Sequence, residues 1–234
     1  MIQIRKAEDR GSSTIDWLES YHTFSFGQYY DPDNMQFGYL RVINEDNIKP
    51  SGGFGTHPHR DMEIITVMID GQLAHKDSMG NGSVIKKGDI QKMTAGSGIM
   101  HSEFNASDTK DAHLLQIWIT PNKMGLDPGY EQISLDNLGS FEQIKLIASA
   151  NADTKKGIIN INQNIDLFIG NLASGKKVEF ISVESNKIWV QMISGELSIN
   201  NIDMKSGDGA AITDNSKLEI KSKKESQFLI FEMK

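Results

Sequence analysis

Val67-Met68-Ile69-Asp70-Gly71-Gln72-Leu73 and Gln191-Met192-Ile193-Ser194-Gly195-Glu196-Leu197 carry one pattern in the two halves of the chain: an apolar run, a polar residue, glycine, then a polar and an apolar residue. A short apolar run closed by Asp-Gly or Ser-Gly reads as a strand entering a tight turn. Its recurrence indicates an internal duplication, which changes the architecture expected. Lys87-Gly88-Asp89 and Ser206-Gly207-Asp208 recur in the same order, as do Leu114–Ile119 and Gln227–Phe231. The spacing shortens along the second copy, so the copies have diverged.

Outward from these turns the chain continues in short β-type runs. They include Tyr39–Ile43, Glu63–Ile69, Ser83–Ile85, His113–Ile119, Phe141–Ile147, Gly157–Ile161, Val178–Val183, Ile188–Ile193 and Lys217–Ile220, with turns such as Gly80-Asn81-Gly82 between them. Many short strands at this spacing predict an all-β sandwich or barrel. One early helix is expected over Thr14–Tyr21, capped by Ser12 or Ser13.

Composition sets the outer limits. With 234 residues, 38% of them hydrophobic, the chain suffices for one large globule or two small domains, each burying a core. A formal charge of −7 argues against nucleic acid or an anionic membrane surface as the partner. Lys217, Lys221, Lys223 and Lys224 are interrupted by Glu219 and Glu225 and read as a solvated strand face. Met1–Arg10 carries charge of both signs and no apolar core segment, and no apolar run is long enough to span a bilayer; a soluble, cytoplasmic protein is expected. The absence of cysteine removes disulfides, thiolate ligands and thiol nucleophiles.

The chemistry lies in His57-Pro58-His59, followed by Glu63, and in His101-Ser102-Glu103. Alternate strand residues share a face, so His57 and His59 stand side by side about 6.6 Å apart along the backbone. Two imidazoles so placed can close on one metal ion, and a facing strand carrying His101 and Glu103 could add a third nitrogen and an oxygen. Glu63 has the parity of the histidine pair, so two glutamates compete for one position. Nitrogen and oxygen donors without sulfur suit iron, manganese, nickel, cobalt, copper or zinc. A closed structural zinc site is the bland alternative, but such sites are usually rich in sulfur. Carried across the duplication, His57, His59 and Glu63 become Ile181, Val183 and Lys187, so only the first half can hold a metal.

Gly53–Glu63, the Gly71 turn and Met93–Glu103 together resemble the pirin family, two-domain members of the cupin superfamily. Ser20–Phe26 through Tyr29–Pro32, with Asp77–Asn81 and Gln116–Pro121, resemble its bacterial branch. The likeness is close over residues 1–132 and weaker beyond. It implies a bicupin, two antiparallel β-barrel (jelly-roll) domains in tandem with short helices. Residues 1–135 would form the metal-binding domain and residues 136–234 a degenerate cupin without metal. It also implies one divalent ion, usually Fe2+, on His57, His59, His101 and Glu103, with Glu63 a neighbouring acceptor that orients an imidazole or an adjacent strand.

The same resemblance implies a quercetin 2,3-dioxygenase activity, opening a flavonol ring with O2 and releasing CO, with a small planar aromatic as substrate. Glu103 is the candidate catalytic base, which requires that it slide off the metal, since a carboxylate touching a dication is a poor base. Its alternative is a metal-dependent, redox-sensing regulatory protein acting through contacts with a protein partner. A non-redox sugar isomerase is a third reading. Of the other histidines, His113 begins an apolar strand and reads as structural, and His75 precedes a turn and reads as exposed. His22, among Tyr21, Phe24, Phe26, Tyr29 and Tyr30, either packs in the core or lines a pocket for a planar ligand. No nucleophile elbow, phosphate-binding loop or complete dinucleotide fingerprint is present.

Overall fold

The computed structural model describes residues 1–138, 143–150, 152, 157–183 and 186–234. It is nearly all β, as the turn spacing predicts, and it divides into two units, Gly11–Gly139 and Met1–Arg10 together with Ser140–Lys234. Each unit contains a seven-stranded and a four-stranded sheet. No helix of the described residues is long and apolar enough to cross a membrane. Phe141, in the expected strand Phe141–Ile147, lies outside the described residues; the strand there is Ile144–Ser149.

In the first unit the large sheet runs Gly129–Ser134, Asp89–Thr94, Glu63–Asp70, Ala112–Ile119, Leu40–Ile48, Leu18–His22, Gly11–Ile15. The small sheet runs Gly53–His59, Ile99–Asn105, Gln72–Asp77, Gly82–Lys86. At one end Ile48, Met68, Leu73, Ile85, Ala112 and Leu114 form a closed apolar cluster, while Ile64, Met93, Ala95 and Ile99 form another.

The duplication shows in the backbone. Gly71 and Gly195 both adopt positive φ, 77° and 85°. A Cβ on Gly71 would lie 2.4 Å from the Asp111 carbonyl, and one on Gly195 would lie 2.1 Å from the Glu225 carbonyl. Each glycine lets a hairpin turn press against the residue just before the next long strand, Ala112–Ile119 or Ser226–Met233. In the second unit Leu172, Ile188, Val190, Leu197, Phe228 and Ile230 belong to one continuous buried cluster. Gly170 leaves room for the Phe228 ring, which a Cβ there would meet at 2.3 Å.

Two expectations are corrected. Thr14–Tyr21 is not a helix: Gly11–Ile15 and Leu18–His22 form an antiparallel hairpin with Ser13 opposite Ser20. The controlling period is two, since Ser20 and His22 are buried while Glu19 and Tyr21 lie on the other face, bonded to each other at 2.7 Å. Among the described residues the helices are two short 3-10 turns, Ala7–Asp9 and Leu135–Leu138. Second, the first ten residues belong with the C-terminal half. Ile2–Arg5 pairs antiparallel with Gly209–Ile212, and buried Asp208 accepts hydrogen bonds from the Ala7 amide at 2.8 Å and Lys6 Nζ at 3.2 Å.

Candidate metal centre

Gly53–His59 is an edge strand, which is why Pro58 is tolerated within it. It pairs with Ile99–Asn105 so that His57 lies opposite His101, and the register shifts between His101 and Glu103. Alternation then puts His57, His59, His101 and Glu103 on the inner face, leaving Met100 and Phe104 outward and partly exposed. Ligand atoms of His57, His59 and His101 lie within 4.8 Å of one another. A second grouping within the same limit, His75, His101 and Glu103, shares His101.

Hydrogen bonds orient these rings. His57 Nδ1 donates to the Gly55 carbonyl at 2.8 Å, which leaves Nε2 with its lone pair toward the cluster, 3.0 Å from His101 Nε2. On its other side His101 Nδ1 is 3.5 Å from His75 Nδ1, and His75 Nε2 is 3.5 Å from Asp77 Oδ2. Burial, then the neighbouring His57, His59 and His75, push His101 down to about 2. Burial and His57 bring His59 down to about 4. Unprotonated rings are the form a metal requires.

Glu103 is buried opposite. Its Oε2 accepts from Gln116 Nε2 at 2.8 Å, and Gln116 Oε1 accepts from Trp118 Nε1 at 3.2 Å. Its Oε1 is buried with no hydrogen-bond partner, and burial raises the carboxyl to about 7. The nitrogens of His57, His59 and His101 fit a divalent cation, since nitrogens at right angles on bonds of about 2.1 Å lie about 3.0 Å apart. The orphaned Glu103 oxygen is grouped with His101 and His75 and must move to reach an ion shared with His57 and His59. Glu63 is engaged elsewhere. Its Oε2 is 3.8 Å from Lys92 Nζ, which also contacts Glu131 at 2.9 Å and Thr94 at 2.9 Å, tying together the strands Glu63–Asp70, Asp89–Thr94 and Gly129–Ser134.

His75 corrects the expectation of exposure. It is 2% exposed because Gln72–Asp77 is an interior strand on which Leu73, His75 and Asp77 share the buried face. His113 bonds Glu45 at 2.9 Å, away from the cluster. His22 both packs and lines a cavity of about 230 Å³ that also reaches His57, His59 and Glu103. Phe26, Phe54 and Trp118 give this cavity its apolar wall, and Asn44, Asp46 and Gln116 its polar one. Sequence reasoning missed Ser20, Asn44 and Asp46; the available signal was polar residues at alternating positions within otherwise apolar strands.

The family model described as Pirin matches residues 3–119, and the one described as quercetinase C-terminal cupin domain matches residues 146–233. Over 233 residues the chain is 40% identical to the quercetin 2,3-dioxygenase of Escherichia coli strain K12, covering 100% of this chain and 99% of that protein. A crystal structure of the bacterial pirin YhhW from Escherichia coli, in complex with nickel(II), is similar at TM-score 0.94 and 39% identity, covering 100% of this chain and 99% of that one. A quercetin 2,3-dioxygenase from Acinetobacter baumannii, at TM-score 0.80 and 23% identity over 96% of this chain and 83% of its own, shares the fold.

Proposed function

The chain belongs to the pirin family, and from that premise we propose that it is a metal-dependent dioxygenase of the quercetin 2,3-dioxygenase type. In that reaction a flavonol ring is opened, both atoms of O2 enter the product, and one ring carbon leaves as carbon monoxide. The observation that carries this reading is the cavity itself: the imidazoles and Glu103 open onto a space walled by Phe26, Phe54 and Trp118, suited to a flat aromatic molecule. The name of the Escherichia coli relative and the nickel in the Escherichia coli pirin support it.

His57, His59, His101 and Glu103 would hold one divalent ion, for which we favour Fe2+. When bound, the ion supplies Lewis acidity toward the substrate oxygen and electron exchange with dioxygen. Glu103 would take the proton of the substrate hydroxyl at Oε1 by releasing that oxygen from the ion, while Gln116 keeps Oε2 in place. Burial raises the carboxyl of metal-free Glu103 to about 7, whereas a cation in contact with it lowers it, so Glu103 is an effective base only once it has let go of the ion. Phe26, Phe54 and Trp118 would flank the ring.

The test is an oxygen-electrode assay of iron-loaded protein with quercetin. Expected are oxygen uptake matched to loss of the flavonol absorption band, and trapped carbon monoxide. Fully loaded protein that consumes neither oxygen nor flavonol would end this reading.

A further inference from the structure

The large sheet brings a second polar group to the cavity, which the chemistry above leaves unused. Ser20 lies directly opposite Asp46, and His22 directly opposite Asn44, on the paired strands Leu18–His22 and Leu40–Ile48. All four side chains line the cavity, and all four are buried. Ser20 Oγ donates to Asp46 Oδ1. His22 Nδ1 donates to Asn44 Oδ1 at 2.9 Å, so Nε2 accepts from Ser13 Oγ at 2.8 Å. These bonds leave two atoms over: Asp46 Oδ2 accepts, and Asn44 Nδ2 donates, no hydrogen bond among the described residues.

A carboxylate that is 3% exposed, with one oxygen unspent and no lysine or arginine bonded to it, is costly unless a donor arrives. Asn44 offers a donor two residues away on the same strand face. The cavity therefore has an acceptor and a donor side by side on the wall formed by the large sheet, while the imidazoles and Glu103 come from the small one.

We infer that Asp46 and Asn44 form a hydroxyl-recognition subsite that selects neutral, polyhydroxylated planar aromatics by the part of the molecule facing the large sheet. Asp46 accepts a ring hydroxyl at Oδ2, and Asn44 donates to an oxygen of the same substituted ring. Ser20 and His22 are positioning residues that fix the two side chains. Anionic substituents, carboxylate or sulfate, are repelled by the same carboxylate. The inference rests on the reading of this cavity as a flavonol site, and it adds which substituents are read.

The experiment is equilibrium binding, followed by quenching of Trp118 fluorescence, of quercetin and of 3-hydroxyflavone to nickel-loaded protein without oxygen. The second ligand keeps the flavonol core and lacks the other hydroxyls. Expected is a preference for quercetin of about tenfold or more, lost in Asp46→Leu and reduced in Asn44→Ala, with 3-hydroxyflavone bound equally by all three proteins. Thermal unfolding checks that each variant is folded; if Asp46→Leu is not, Asp46→Asn, which keeps the shape and loses the charge, must still lower the preference. Equal binding of both ligands by the wild type, or a preference unchanged in the folded Asp46 variant, overturns the subsite and leaves the dioxygenase reading standing. Failure of the wild type to bind either flavonol overturns that reading and the subsite with it.

Discussion

The Nε2 atoms of His57 and His101 face each other at 3.0 Å across a cross-strand pair. Because the His57 Nδ1 proton is already given to the Gly55 carbonyl, the His57 lone pair points at its neighbour. Without metal the two nitrogens can share one proton, that of His101 donated to the His57 lone pair; a cation would displace that proton and take both lone pairs, which is the reason to place one here.

Removing a ring should empty the site. His57→Ala and His101→Ala are expected to lower metal affinity by more than about a hundredfold, since losing only an outer-shell partner costs 10- to 100-fold. Glu103→Gln should bind weakly, whereas Glu63→Gln, whose partner is Lys92, should load fully. Elemental analysis after dialysis against a weak chelator reads all four; an empty Glu63→Gln protein would reverse the assignment of the two glutamates.

His75 stands behind His101 and is itself backed by Asp77. His75→Phe should weaken metal binding about 10- to 100-fold by freeing the orientation of the His101 ring. His75→Gln, which still offers an acceptor to Nδ1, should recover most of it. Chelator competition measures both, and nitrogen NMR of His101 should show mixed tautomers in the phenylalanine variant only.

Asp46 gives a pH signature in metal-free protein. Burial raises it from 3.8 to about 6, so the folded state is favoured below pH 3.8 and loses that advantage as pH rises through 6. The shift corresponds to about 3 kcal/mol at most. Asp46→Asn should therefore be more stable than wild type above pH 6, by on the order of 5 °C in thermal midpoint, with the gap closing toward pH 4. A gap independent of pH would mean that the carboxylate is not under this strain.

Gly71→Ala and Gly195→Ala should each destabilise by about 1–3 kcal/mol, because the turn requires positive φ and a methyl group would meet a carbonyl oxygen. Urea titration monitored separately by Trp118 and Trp189 reads the two units. Each substitution should move the transition of its own unit first.

The inner-face constellation was legible because the period of a strand is rigid: once His57 and His59 are both in a strand, they must share a face, and so must His101 and Glu103. The paired glycine turns were legible for a similarly local reason. What escaped was set by distant partners. Ser20 and His22 could fit either a helix or a strand until the pairing with Asp46 and Asn44 selected the period. His75 looks like a residue before a turn, and only its position inside a sheet buries it. Asp46 has no neighbour in sequence that announces a cavity.

Ile2–Arg5 leaves the ribosome before the segment Gly11–Gly139, yet its partner Gly209–Ile212 emerges after that segment. The segment Gly11–Gly139 has all of its sheet partners within itself and is free to close while translation continues. Ile2–Arg5 must wait, unpaired, until Gly209–Ile212 has been made. A change in Ile2–Arg5 would therefore strike the sheet that holds Gly209–Ile212, far from it in sequence, rather than the sheets that carry the histidines.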